Sequence, residues 1–96
     1  MTDNETEETA LRTLIVDDEP LAVERVQVIC AEIPSVRVIG TASDGAAALR
    51  LAEKLAPDLV LLDMTMPEID GLGVARKLAE QEQAPVVIFV TAHDHF

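Results

Sequence analysis

Aromatic residues are almost absent from this chain of 96 residues, which has no Trp, no Tyr and only Phe89 and Phe96. Because 49% of the residues are nevertheless hydrophobic, a core is available and must be built from aliphatic side chains. The length suits one small domain and excludes a second.

Basic residues are also few: seven Lys and Arg stand against 18 Asp and Glu, which gives a net charge of −11. This excess of negative charge argues against direct binding of the chain to nucleic acid or to an anionic membrane surface. Part of the charge lies in residues 1–10, which hold four acids and little to bury. We therefore predict a disordered acidic tail over residues 1–10 and one domain over residues 11–96.

Cys30 is the single cysteine, so an internal disulfide is excluded, as is typical of proteins in reducing compartments. It lies in an apolar helical stretch, which predicts a buried structural thiol. No stretch has the length and apolarity of a membrane span, and the acidic start is unlike a secretory signal. The sequence thus predicts a cytoplasmic protein without a membrane segment.

Apolar runs of strand length occur at residues 12–16, 36–42, 59–62 and 86–90. Between them lie helical segments, which begin at Pro20, follow the Ser43-Asp44-Gly45 turn and cover residues 72–82. The order βαβαβαβ predicts right-handed crossovers and a doubly wound parallel α/β sheet with helices on both faces. Helical spacing predicts three inward faces: Ala22, Val26, Ile29, Cys30 and Ile33; Leu49, Ala52, Leu55 and Ala56; Val74, Ala75, Leu78 and Ala79.

Three aspartates follow these apolar runs: Asp17 and Asp18 after the first, and Asp63 after the third. The carboxyl ends of parallel strands meet at one edge of the sheet, where such folds bind ligands. Clustered carboxylates repel one another and favour a hard cation such as Mg²⁺. A carboxylate beside Mg²⁺ can accept a phosphoryl group. Thr91, after the fourth run, offers a hydroxyl, and the small Ala92 leaves room for it.

Each of these signals has a simpler interpretation when taken alone. Asp17 and Asp18 before Pro20 can cap a helix, and one aspartate after a strand is common. The combination of an acid pair, a third acid and a hydroxyl after three different strands favours a functional site.

The segments Leu14-Ile15-Val16-Asp17-Asp18-Glu19-Pro20, 63–71 and Val90-Thr91-Ala92 resemble those of a bacterial response-regulator receiver domain. The resemblance implies a flavodoxin-like, CheY-like fold that lacks the last strand and helices. It implies a phosphoprotein of a two-component system, which carries an aspartyl phosphate supplied by a sensor histidine kinase with Mg²⁺. The implied roles are the phosphoacceptor, Asp63; Mg²⁺ ligands, Asp17, Asp18, Asp63 and the Thr65 carbonyl; the switch hydroxyl, Thr91; and loop-shaping residues, Met66, Pro67, Gly71 and Ala92.

Residues 91–96 together with Asp18-Glu19-Pro20-Leu21-Ala22 look more specifically like receivers that precede a LytTR-type DNA-binding domain. That likeness implies transcription regulation, with DNA bound only through an output domain outside this chain. The family's fifth-strand lysine has no counterpart, since Lys54 and Lys77 fall in helices. The C-terminally incomplete fold would leave the strand-four edge exposed, so we expect a homodimer through it.

Two other functions stay open. One is a degenerate or truncated receiver that serves as a phosphorylation-independent interaction or dimerisation module. The other is a Mg²⁺-dependent phosphatase of the haloacid dehalogenase type, although the second aspartate of that family falls at Thr65 here. A nucleotide-binding Rossmann domain is disfavoured because no glycine-rich turn follows the first strand.

Overall fold

The computed structural model describes residues 10–64, 66 and 70–90. In that part of the chain, strands and helices alternate from the first element to the last: β1 (Leu11–Val16), α1 (Pro20–Ala31), β2 (Val36–Ala42), α2 (Gly45–Leu55), β3 (Leu59–Asp63), α3 (Gly71–Ala79) and β4 (Val86–Val90). The strands form one parallel sheet in the order β2-β1-β3-β4. The predicted doubly wound architecture is confirmed.

The main core lies on the sheet face that α2 and α3 cover. Leu14 and Val16 of β1 and Leu62 of β3 are buried there against Ala52 of α2 and Leu78 of α3. β1 and β3 are the central strands of the described sheet, and most of their residues are buried, which suits their largely aliphatic composition. The other face of β1 is covered by α1, which contacts β1 and β2.

Strand β2 contains a β-bulge that shifts its register against β1. Thr13 pairs with Val38 and Leu14 with Gly40, so Ile39 is the extra residue. The bulge brings Gly40 onto the face of Leu14, where a Cβ at position 40 would lie 3.5 Å from a Leu14 methyl group. β2 then continues beside β1 to its end, where the Asp17 N–H donates to the Ala42 carbonyl at 3.0 Å.

Short polar contacts fix the helix ends. Asp44 and Asp70 cap α2 and α3 by accepting hydrogen bonds from the third backbone N–H beyond each of them, at 2.8 and 2.7 Å. At the other end of α2, the Arg12 guanidinium donates to the Leu55 and Ala56 carbonyls at 2.8 and 2.9 Å. These contacts attach α2 to the start of β1.

The element bounds differ little from the predicted ones, with one difference in α3. That helix begins at Gly71 and ends at Ala79, three residues before the predicted end. Its Ala79 is exposed, so the prediction of an inward Ala79 is wrong: Ala79 is the last residue of the helix and lies outside the face formed by the buried Val74 and Leu78. The prediction that Cys30 is buried is confirmed, with 4% of its surface exposed.

The predicted inward face of the first helical segment is also wrong for two residues, Ile29 and Ile33. Ile29 is 59% exposed because it lies on the flank of α1, beyond the strip that contacts the sheet. Ile33 is 40% exposed because α1 ends at Ala31 and Ile33 lies in the following turn. Among the described residues, no helix is long and apolar enough to cross a bilayer.

Candidate functional site

The sheet register brings the three predicted aspartates together. Val16 pairs with Ala42 on one side and with Leu62 on the other, so the residues after Val16 and Leu62 emerge side by side. One carboxylate oxygen from each of Asp17, Asp18 and Asp63 lies within 4.8 Å of the other two. The cluster stands at the carboxyl edge of the two central strands, as the sequence predicts.

Two backbone hydrogen bonds hold Asp17, one through its N–H group and one through its side chain. Its N–H donates to the Ala42 carbonyl, and its Oδ1 accepts the Glu19 N–H at 3.0 Å. Burial raises the pKa of Asp17, and repulsion from Asp63, Asp18 and Glu19 adds to the rise; the hydrogen bond from Glu19 opposes it. The folded chain therefore disfavours the charged form of Asp17 when no cation compensates it.

Asp18 and Asp63 differ in their surroundings. Asp18 is exposed, so it can exchange ligands with solvent, whereas Asp63 is half-buried at the end of β3. The combination of one open and two half-buried carboxylates fits Mg²⁺, which prefers oxygen ligands and keeps several waters. These three carboxylates would hold the ion, which would keep further coordination positions for water and phosphate oxygens.

Gly71 fixes the chain that follows Asp63. Its N–H donates to the Met64 carbonyl at 2.7 Å, which joins the first turn of α3 to the end of β3. A Cβ at position 71 would lie 2.6 Å from Met64 Cα and 2.8 Å from the Asp63 carbonyl oxygen. Only glycine allows this approach, so the loop-shaping role implied for Gly71 has a steric basis here.

Met66 anchors the same loop by packing into the core. It is 8% exposed and belongs to the buried cluster around Leu62 and Leu78. The other predicted site residues, Thr65, Pro67, Thr91 and Ala92, lie outside the described residues. Their assigned roles therefore stay predictions.

Two backbone partners of Asp17, Glu19 and Ala42, were not predicted from the sequence. The Asp17–Glu19 contact is an Asx turn, for which an aspartate shortly before Pro20 is a usable signal. The Ala42 contact depends on the bulge in β2, for which the isolated Gly40 within the strand is a usable signal.

The response regulator receiver domain model matches residues 13–96. The chain belongs to the response regulator receiver family. A curated relative, the positive alginate biosynthesis regulatory protein of Pseudomonas aeruginosa, is 52% identical over 87 residues. That alignment covers 90% of this chain and 35% of the relative, so the chain spans about a third of the relative's length.

Solved receivers share the fold. The receiver domain of a putative response regulator NarL from Mycobacterium tuberculosis superposes with a TM-score of 0.80 at 41% identity, covering 90% of this chain and 69% of that one. CheY in a CheX–CheY–BeF3–Mg²⁺ complex from Borrelia burgdorferi gives a TM-score of 0.78 at 30% identity, covering 86% and 63%. The predicted CheY-like fold is thus confirmed for the receiver of a two-component system.

Proposed function

We propose that this receiver accepts a phosphoryl group on Asp63 from a sensor histidine kinase, in a reaction that requires Mg²⁺. The observation that carries the proposal is the convergence of Asp17, Asp18 and Asp63, whose oxygens lie within 4.8 Å of one another. A bound cation would offset the repulsion within this cluster and would favour the approach of an anionic phosphoryl group.

The proposed reaction is a simple displacement. A carboxylate oxygen of Asp63 attacks the phosphorus of the phosphohistidine, the new P–O bond forms, and the P–N bond breaks with its electron pair leaving on the imidazole nitrogen. Asp17, Asp18 and Asp63 would hold Mg²⁺, with the Thr65 carbonyl as a further ligand implied by the family resemblance. When bound, Mg²⁺ neutralises charge on the carboxylates and on the transferring phosphoryl group.

Asp63 is preferred to its neighbours as the acceptor for a structural reason as well as by resemblance. Asp17 Oδ1 already accepts the Glu19 N–H, which engages that oxygen within its own turn. Asp63 ends a central strand and is followed by a chain that Gly71 fixes against it. A backbone fixed in this way holds the acceptor in a constant position at the edge of the sheet.

We propose that phosphorylation changes the conformation at the carboxyl edge of the sheet and that this change transmits the signal. New charge at Asp63 would be sensed by the Thr91 hydroxyl, and the response would control an output domain outside this chain in the cytoplasm. We propose a DNA-binding, transcriptional output of the LytTR type. The local resemblance supports it, and the likeness to a relative named as a regulator of alginate biosynthesis supports a regulatory output in general. A second copy of the chain is the other proposed partner.

The test is intact-mass measurement after incubation with phosphoramidate, with and without Mg²⁺. We expect the mass of one phosphoryl group to be gained in Mg²⁺ by the native chain and by Asp58→Asn, whose carboxyl lies at the opposite end of β3. Asp63→Asn should gain none. An equal gain without Mg²⁺ would contradict the proposal. No gain at all would favour the phosphorylation-independent interaction module.

A further inference from the structure

Basic side chains gather where β1 begins, on the sheet face that α2 covers. Arg12 of β1 and Arg37 of β2 are partners in the sheet register, so their side chains point to the same face, and both residues are exposed. The Arg12 guanidinium donates to the Leu55 and Ala56 carbonyls, which shows that this face is the one that carries α2. Two arginines therefore lie side by side next to the end of that helix.

Helix α2 adds two further cations at this place. Lys54 is exposed and directly precedes Leu55, whose carbonyl accepts the Arg12 guanidinium at 2.8 Å. Arg50 is also exposed and lies four residues before Lys54, so the two side chains share one flank of the helix. We call Arg12, Arg37, Arg50 and Lys54 the basic corner. It holds four of the seven Lys and Arg residues of a chain whose net charge is −11.

The cations of the basic corner repel one another. Arg12 and Arg37 lie opposite each other on neighbouring strands, and Arg50 and Lys54 are four positions apart on one helix; like charges at these spacings destabilise. Asp58 offsets part of this repulsion, because its Oδ2 accepts the Arg12 backbone N–H at 2.9 Å. A segment that carries several acids would offset more of it.

The chain itself supplies an acidic segment at this place. Its first nine residues include no basic side chain and four acids: Asp3, Glu5, Glu7 and Glu8. These residues join the described structure at Ala10, and the next residue, Leu11, begins β1. The Leu11 N–H donates to the Ser35 carbonyl at 2.7 Å, which ties the start of β1 to the turn before β2. The acidic segment thus enters the sheet one position before Arg12 and beside Arg37.

We propose that the acidic segment of residues 1–9 docks on the basic corner of its own chain. Nine residues span up to about 30 Å when extended, whereas Arg50 lies only about 6 Å along α2 from Lys54, so length does not limit the contact. A short tether gives an effective concentration on the order of millimolar, which lets several individually weak surface ion pairs act together. Attraction between summed charges needs no fixed conformation of the segment.

This docking is independent of phosphoacceptance. The basic corner lies where β1 begins, whereas Asp17 and Asp18 follow the end of the same strand. A chain whose acidic segment is neutralised should therefore still gain a phosphoryl group as the native chain does.

The test is paramagnetic broadening of backbone amide signals in the whole chain. In a Cys30→Ala background, Thr6→Cys carries a nitroxide spin label within the acidic segment. We expect broadening at Arg37 and Lys54 at low salt and its loss at high salt, which screens exposed charges. A matched chain carries the same label and tether but a neutral segment, and it should lose the broadening at low salt as well: Asp3→Asn, Glu5→Gln, Glu7→Gln and Glu8→Gln.

The basic corner is tested from its own side by a pair of double variants. Arg37→Gln with Lys54→Gln should lose the broadening at positions 37 and 54. Arg76→Gln with Lys77→Gln removes the same charge from exposed positions of α3 and should keep it. Equal broadening with the acidic and the neutral segment, or at low and high salt, would overturn the proposal, because it would reflect the tether alone. An equal loss in the two double variants would also overturn it.

Discussion

At the scale of single residues, the acid cluster places a carboxylate, Asp17, where burial and neighbouring acids disfavour its charge. Burial and neighbouring charge raise the pKa of Asp17, so its ionised form costs the folded state stability at neutral pH. That cost vanishes below the ordinary pKa of an aspartate, where the group is protonated in both the folded and unfolded states. A bound cation would remove this cost by pairing with the charge.

Asp17→Asn should therefore raise the free energy of unfolding at pH 7 without Mg²⁺, and the gain should disappear as the pH falls through the carboxyl range. Mg²⁺ should stabilise the native chain and stabilise the variant much less. Urea unfolding followed by circular dichroism measures both effects. Glu53→Gln, on the exposed face of α2, is the control and should show neither. A loss of stability in metal-free Asp17→Asn would contradict the account.

Gly71 is the residue whose role depends most on close approach. Gly71→Ala would drive a Cβ into the backbone at Met64 Cα and the Asp63 carbonyl, so strand and helix must separate. We expect a loss of about 2 kcal/mol of stability, at the scale of an overpacked site. We also expect slower phosphoryl gain per folded molecule, because Asp63 is displaced. Gly73→Ala, in the same helix, is the matched control and should favour folding, since alanine forms helix better.

At the scale of secondary-structure elements, the end of α2 is shaped by a non-glycine residue in a left-handed conformation. Ala56 has φ 48° and ψ 61°, which an L side chain adopts at a cost. Ala56→Gly should stabilise the chain by about 1 kcal/mol, because glycine is the preferred residue there. Ala47→Gly, inside α2, should destabilise it by about 1 kcal/mol. Thermal unfolding of the two variants compares them; a destabilised Ala56→Gly would contradict this reading.

The elements were predictable to different degrees. The strands β1 and β3 follow from their aliphatic runs, because central strands of a parallel sheet are largely buried and tolerate little else. The helices follow from Pro20, Asp44 and the 3.6-residue period. The covered flank of α1 was not predictable, since apolar residues lie on more than one side of it and Ile29 was placed inward. The bulge at Ile39 had a signal in Gly40, because an isolated glycine inside a strand often marks a bulge, although the glycine alone does not fix the register.

At the scale of the whole molecule, the candidate site follows from topology more than from any single motif. Asp17, Asp18 and Asp63 are up to 46 positions apart in sequence, yet the order β2-β1-β3-β4 makes the strands that carry them neighbours. The cluster could therefore be predicted from the sequence, because each aspartate follows a predicted strand. The tight approach of Gly71 and the anchoring of Asp17 by Ala42 could not be predicted, since both depend on distances between elements.

The central claim is that these acids form one Mg²⁺-dependent phosphoacceptor site with Asp63 as the acceptor. Borohydride reduction of the phosphorylated chain, which converts an aspartyl phosphate to homoserine, followed by peptide sequencing in a mass spectrometer, locates the modified residue. We predict homoserine at position 63 in samples phosphorylated with Mg²⁺, and none there without the metal. Homoserine at position 17 or 18, or at position 63 in equal amount without Mg²⁺, would contradict the account.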